Sequence, residues 1–132
     1  MVLPAPMRLR GHRCFDRLHR HGRRHHGACM TLRVVESRPG LLAPSLRSAE
    51  ARSPDTRRCR CAVVISGKVH KRSVVRNRLR RSLHDHLRRR LEGNRSLAGQ
   101  WILLSLKPSA IAPETPLLEE CDRLLKHAGL LP

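Results

Sequence analysis

Val75, Leu79, Leu83, Leu87 and Leu91 recur at every fourth position through the most basic stretch of the chain. An α-helix brings such positions onto one side. Ser73 precedes the run as a candidate cap and Glu92-Gly93-Asn94 closes it, so a helix is expected over 73–91. Residues 68–90 hold ten basic side chains against one acid, Asp85. At about 100° per residue, Arg80, His84, Asn77, Arg88 and Arg81 fall within about 140° of Arg76, on one face beside the apolar stripe. A solvated helix face is usually stabilised by alternating charges. Here the acids are missing, so successive turns repel one another unless an anion lies across them. Guanidinium forks match phosphate oxygens, and Asn77 can pair with a sugar or a base edge.

The rest of the chain sharpens that demand. It has 28 Lys and Arg against 10 Asp and Glu, a net charge of +18. Residues 101–132 contain three basic and four acidic residues, so the excess sits in the first hundred. Solubility needs far less charge, and a polyanionic partner is expected. At 132 residues, a single domain spanning 1–132 is expected. Phe15 and Trp101 are the only aromatics, so the core must be aliphatic, Trp101 is expected inside it, and base stacking must be minor. No apolar run approaches the ~18 residues of a membrane span, and the Pro-broken start does not read as a signal peptide. A cytoplasmic protein with no membrane partner is the expectation. Five cysteines in no small-scaffold spacing are expected to be free thiols.

A short helix is expected at Cys14-Phe15-Asp16-Arg17-Leu18-His19-Arg20, stopped by Gly22. In residues 28–35, Met30, Leu32 and Val34 alternate with Thr31 and Arg33 as in a half-buried strand. Residues 36–58 are rich in Ser, Pro, Arg and Gly and are expected to form a long mobile loop. Residues 60–66 read as a strand buried on both faces, and 101–106 as another. The last helix is expected to open with Thr115 as cap and Pro116 at its first position. It places Leu117, Leu118, Cys121, Leu124, Leu125 and Ala128 on one face and stops at Gly129. The order is α-β-β-α-β-α, compatible with a three- or four-stranded sheet covered by helices.

Protein-borne catalysis finds little support. The acids of the basic region share no local motif that would pair carboxylates or hold a metal, and a glycine-rich phosphate loop is absent. Cys59-Arg60-Cys61 is tighter than the usual zinc pairs, and the cluster His19, His21, His25 and His26 has no second cysteine pair to join. A DNA-reading helix is disfavoured because a strand, not a short helix and turn, precedes residue 73.

Arg76-Asn77-Arg78-Leu79-Arg80-Arg81, following Val63-Val64-Ile65-Ser66 and Lys68-Val69-His70-Lys71-Arg72, resembles the Arg-Asn-Arg signature of the protein subunit of bacterial ribonuclease P. Arg8-Leu9-Arg10, the helix from Phe15 to His21-Gly22, and the ending Lys126-His127-Ala128-Gly129-Leu130 support it. The resemblance covers about residues 7–130 apart from the loop 36–58. It implies an α/β (α+β, two-layer) sandwich of the ribosomal protein S5 domain 2-like kind, with a left-handed β-α-β crossover. It also implies that the catalytic centre belongs to an RNA subunit with Mg2+ ions. The protein would bind that ribonuclease P RNA and the 5′ leader of precursor tRNA, assisting endonucleolytic removal of the leader. By position, Arg76, Asn77, Arg78, Arg80 and Arg81 would face the RNA subunit, with Lys68, Lys71, Arg72, His84 and Arg88 extending the patch. Phe15 and His19 would line a leader cleft between the first helix and the sheet. His19 stands where a second aromatic is usual, and Gly67 where a second lysine is common. The competing reading is a ribosomal or general structural RNA-binding protein, since phosphate binding is shared by both.

Overall fold

A computed structural model describes residues 3–42, 58–111 and 116–132. The elements are α1 (His12–His21), β1 (Arg23–His26), β2 (Met30–Glu36), β3 (Arg60–Val64), α2 (Ser73–Leu91), β4 (Gln100–Leu106) and α3 (Leu117–His127). The strands form one sheet in the order β1-β2-β4-β3. β1 with β2 and β2 with β4 are antiparallel, while β3 and β4 are parallel and joined through α2. That connection is the β-α-β unit expected from the sequence, and it carries the basic helix across the sheet.

Strand alternation sends Met30, Leu32 and Val34 of β2, Ile102 and Leu104 of β4, and Cys61 and Val63 of β3 to one face. Leu83, Leu87 and Leu91 of α2 and Cys121, Leu124 and Leu125 of α3 close over them, so the apolar stripe read from the sequence is the inner side of α2. Only its first two turns overhang: Val75 is half-buried and Val74 is 63% exposed. The opposite face carries a smaller core of Val35, Ala62, Trp101 and Leu103 beneath Cys14 and Leu18 of α1. β2 is therefore covered on both faces over much of its length, with Thr31 and Val35 buried, where the sequence pattern promised one. At the far end of β3, Val64 is 39% exposed, so that strand is not buried on both faces throughout.

Several boundaries move for physical reasons. β1 has the sequence Arg-Arg-His-His, without an apolar residue, and so gives no hydrophobic period to read. Arg72 rather than Ser73 occupies the cap position of α2 and makes no side-chain capping bond. Pro116 is the cap of α3, while Thr115 lies outside the described residues. Of the loop expected at 36–58, Glu36 ends β2, Pro39–Leu41 form a single turn and Leu42 is buried, while 43–57 lie outside the described residues. Gly129 ends α3 at φ +79°, and its neighbour's amide reaches back from Leu130 to Leu125 O at 2.9 Å, the left-handed closure that glycine permits.

The two margins of the sheet differ. On the β3 side, the amide of Leu9 donates to Cys61 O at 2.9 Å, and buried Arg60 reaches Arg8 O at 3.0 Å and Ala5 O at 3.3 Å. On the other side, β1 presents exposed Arg23, Arg24 and His26.

Leu118, expected on the buried face of α3, is 37% exposed, whereas Glu120 is 5% exposed. The Glu120 carboxylate accepts the amides of Ala28 at 2.8 Å and Cys29 at 2.7 Å, the Cys29 thiol at 2.7 Å and Arg123 Nη2 at 2.9 Å. It thereby clamps the β1–β2 turn to α3, and Lys107 Nζ and Ser109 Oγ hold the same turn through Gly27 O and Ala28 O. A Cβ on Gly27 would lie 2.7 Å from Glu120 Cδ, but one on Gly40 would meet nothing within 4 Å. Gly27→Ala is therefore expected to cost about 1–3 kcal/mol of stability in chemical denaturation, as overpacking does, with Gly40→Ala near neutral. Equal midpoints for the two variants would show that the clamp yields without cost.

Candidate nucleic-acid interface

The residues leading into α2 are anchored by Ile65 and Val69, 6% and 5% exposed. Val69 N–H donates to Ser66 O at 3.0 Å, Lys68 N–H to Ser66 Oγ at 3.3 Å and Arg72 N–H to His70 Nδ1 at 3.1 Å. With these backbone groups satisfied, Lys68, Lys71 and Arg72 stand exposed at the start of the helix, followed by Asn77, Arg78 and Arg81. Arg76 and Arg80 are half-exposed. Arg80 Nη1 donates to Asn77 Oδ1 at 2.8 Å, which orients the Asn77 amide with its N–H groups as the remaining donors.

Counter-charges are distributed unevenly along α2. In its last turns Asp85 pairs with Arg89 at 2.8 Å and Arg88 at 3.4 Å, and Glu92 stands 4.0 Å from Arg88. Asp122 of α3 takes His86 at 2.7 Å and Arg90 at 2.9 Å. Among the described residues, no carboxylate pairs with Lys68, Lys71, Arg72, Arg76, Arg78, Arg80 or Arg81. The first turn of the helix contains no acid either, although the macrodipole favours negative charge there. The half with unpaired cations is thus also the half where the backbone presents positive potential, and both terms are relieved by an anion.

Two residues expected on this face lie elsewhere. His84 is 9% exposed, at the margin of the core, and burial, then Arg80 and Arg8, lower its proton affinity. It lies beneath the arginines rather than as an outward contact. Arg88 sits among Asp85 and Glu92, with the last turns, away from the unpaired group.

A second basic region lies under α1. Cys14 and Leu18 point into the smaller core. Arg17 Nε donates to Glu36 O at 3.0 Å, fixing one flank of α1 over the end of β2. Phe15 and His19, one turn apart, occupy the other flank; Phe15 is half-buried against the smaller core and His19 is exposed. By register, Thr31, Arg33, Ser105 and Val64 share the sheet face carrying Val35 and Trp101, beyond the part that α1 covers. The sequence reading missed Arg33 and its neighbour Arg24, whose positions pair across β1 and β2. Arg33 looked like the solvent side of a half-buried strand, but its Nε is buried and unpartnered among the described residues. Burial, then Arg24, weakens its hold on its proton, so an anion there would relieve both penalties.

Charge gathered on one helix without counter-charge, together with a basic and partly open face on the other side of the sheet, defines the class: a nucleic-acid-binding α/β protein. The comparisons narrow it. The family model described as Ribonuclease P matches residues 3–129. A ribonuclease P protein component of Parasynechococcus marenigrum (strain WH8102) is 63% identical over 131 residues, 98% of each chain. One from Synechococcus sp. (strain WH7803) is 58% identical over 132 residues, 100% of each. The chain belongs to the ribonuclease P protein family. In fold it is similar to the Staphylococcus aureus RNase P protein, with a TM-score of 0.72 at 13% identity over 96% of this chain and 98% of that one. The Thermotoga maritima protein gives 0.63 at 18% identity, covering 91% and 96%. Membership makes this an RNA-binding component of ribonuclease P, the enzyme of tRNA 5′ maturation, and displaces the ribosomal reading.

Proposed function

We propose that the N-terminal half of α2 and the segment before it dock on ribonuclease P RNA, while the open sheet face beside α1 receives the 5′ leader of precursor tRNA. The observation that carries the reading is the group of cations without counter-charge, Lys68, Lys71, Arg72, Arg78 and Arg81. A folded RNA offers phosphates at the spacing of successive helical turns, and neutralising them releases condensed counterions, which drives binding. For the leader, Phe15 supplies a ring for stacking and His19 a polar ring at the next turn. Arg33 and Arg24 would meet its phosphates from the sheet.

Cleavage of the phosphodiester is assigned to the RNA subunit with its Mg2+ ions. Among the described residues no group of three or more His, Cys, Asp or Glu side chains is placed to hold a metal ion. What the chain contributes is positive potential, which lowers the repulsion between enzyme RNA and substrate RNA and so reduces the magnesium needed. No helix of the described residues is long and apolar enough to cross a membrane, and the proposed place of action is the cytoplasm.

The test is cleavage of a precursor tRNA by a bacterial ribonuclease P RNA at low magnesium, with and without the protein. Stimulation is expected, with no cleavage by the protein alone. Tight RNA binding without stimulation would reject the proposal.

A further inference from the structure

Arg76 opens the Arg76-Asn77-Arg78 triplet, where the resemblance to the family puts a direct RNA contact. Its guanidinium is turned elsewhere. Nη1 donates to His70 O at 2.7 Å and to Lys71 O at 2.8 Å, reaching back five and six residues from α2 into the preceding segment. Those carbonyls lie in the short segment that bears the exposed cations Lys68, Lys71 and Arg72. Without such a tie, like charges so close in sequence would spread the segment apart, because no described carboxylate pairs with them. The two carbonyl oxygens take both hydrogens of Nη1 and direct that side of the guanidinium inward.

We propose that Arg76 is a positioning residue. It holds the carbonyls of His70 and Lys71 against the first turns of α2, so that Lys68, Lys71 and Arg72 project as one preset phosphate-binding group beside Arg78 and Arg81. Presetting matters because lysine and arginine side chains, and the segment bearing them, must otherwise be ordered when RNA arrives. Arg76 thus acts on RNA affinity through its neighbours, not by touching phosphate. The inference rests on the reading of α2 as the RNA face.

A mutant cycle on the full-length chain separates the two roles, with bacterial ribonuclease P RNA as the probe and affinity measured across a salt series. In the native background Arg76→Ala is expected to weaken binding by about tenfold. In a background already carrying Lys68→Ala, Lys71→Ala and Arg72→Ala, the same change is expected to cost less than about twofold, since nothing remains to be positioned. Arg81→Ala, a direct contact, is expected to cost about tenfold in both backgrounds. A tenfold loss from Arg76→Ala in both would overturn the proposal and make Arg76 a phosphate contact. If Arg78→Ala and Arg81→Ala leave affinity and salt slope unchanged, the reading beneath it fails instead, and the two failures are distinct.

Amide exchange in the RNA-free protein gives a second readout. Arg76→Ala is expected to accelerate exchange at Val69 and Arg72 by about tenfold while amides of residues 79–90 stay protected, which also establishes that the helix is folded. Unchanged exchange at Val69 and Arg72 would overturn the positioning role without reference to RNA.

Discussion

Glu120→Ala is expected to destabilise the protein by about 3–5 kcal/mol, and Glu120→Gln by roughly half as much, measured by chemical denaturation at neutral pH. The alanine variant leaves the amide and thiol of buried Cys29 without their acceptor and frees the amide of exposed Ala28, so the turn loses its hold on α3. Glutamine keeps one acceptor oxygen but loses the charge that Arg123 faces. Burial alone would raise the Glu120 pKa. The Cys29 thiol, the two amides and Arg123 outweigh it and hold the carboxyl below its ordinary range. Burial, then Glu120, in turn push the Cys29 thiol up to about 12, so it remains a protonated donor.

The sign of the pH dependence follows. A depressed carboxyl pKa stabilises the fold fully above the unfolded value, about 4.3, and that contribution is lost as pH falls through the lower folded value. The stability gap between native protein and Glu120→Gln should therefore be constant from about pH 7 to 5 and shrink below about 4. A gap that persists undiminished in acid would mean that the carboxylate charge contributes nothing to the clamp.

Arg78→Ala combined with Arg81→Ala is expected to weaken binding to ribonuclease P RNA about a hundredfold at moderate salt and to flatten the log–log salt dependence by about two units. Both side chains are exposed on the uncompensated half of α2, so little of the loss can come from the fold. The thermal midpoint should stay level or rise slightly, as mutual repulsion is relieved in the free protein. Stimulation of leader cleavage should fall in parallel and return at high magnesium, where cations replace the missing charge. The control is Arg89→Ala, whose cation is already paired with Asp85 at 2.8 Å and should change the slope far less. Equal effects from Arg89 and from the Arg78 and Arg81 pair would mean that total charge, not this surface, governs binding.

The parts of the fold that were legible in the sequence are those in which one period dominates. The stripe from Leu79 to Leu91 is buried or packed on the core as the four-residue spacing requires, and Trp101 is fully buried. Periodicity fails where polar groups are structural. Glu120 reads as a solvated acid near the start of a helix until its partners, ninety residues away in sequence, are brought beside it. His84 lies next to the apolar stripe, and the small rotation that separates exposed from buried is finer than wheel angles resolve. β1 is held in the sheet by its backbone pairing with β2, a signal its four cationic and imidazole side chains do not carry. The Arg-Asn-Arg triplet was visible at once; that its first arginine bends back to two carbonyls was not, since chain direction at residues 70–72 is set by tertiary contacts.

The two margins of the sheet bear on how the chain survives before it meets its partner. A bare strand edge is a template on which another molecule can extend the sheet, and a leucine-rich chain with apolar strands is exposed to that hazard during synthesis. Here one margin is sealed by the segment running past β3 and anchored by Arg60, while the other carries Arg23, Arg24 and His26 outward. Two approaching copies of β1 would bring four guanidinium groups together with nothing between them. The same positive charge that draws polyanions therefore keeps copies of this protein from growing onto one another.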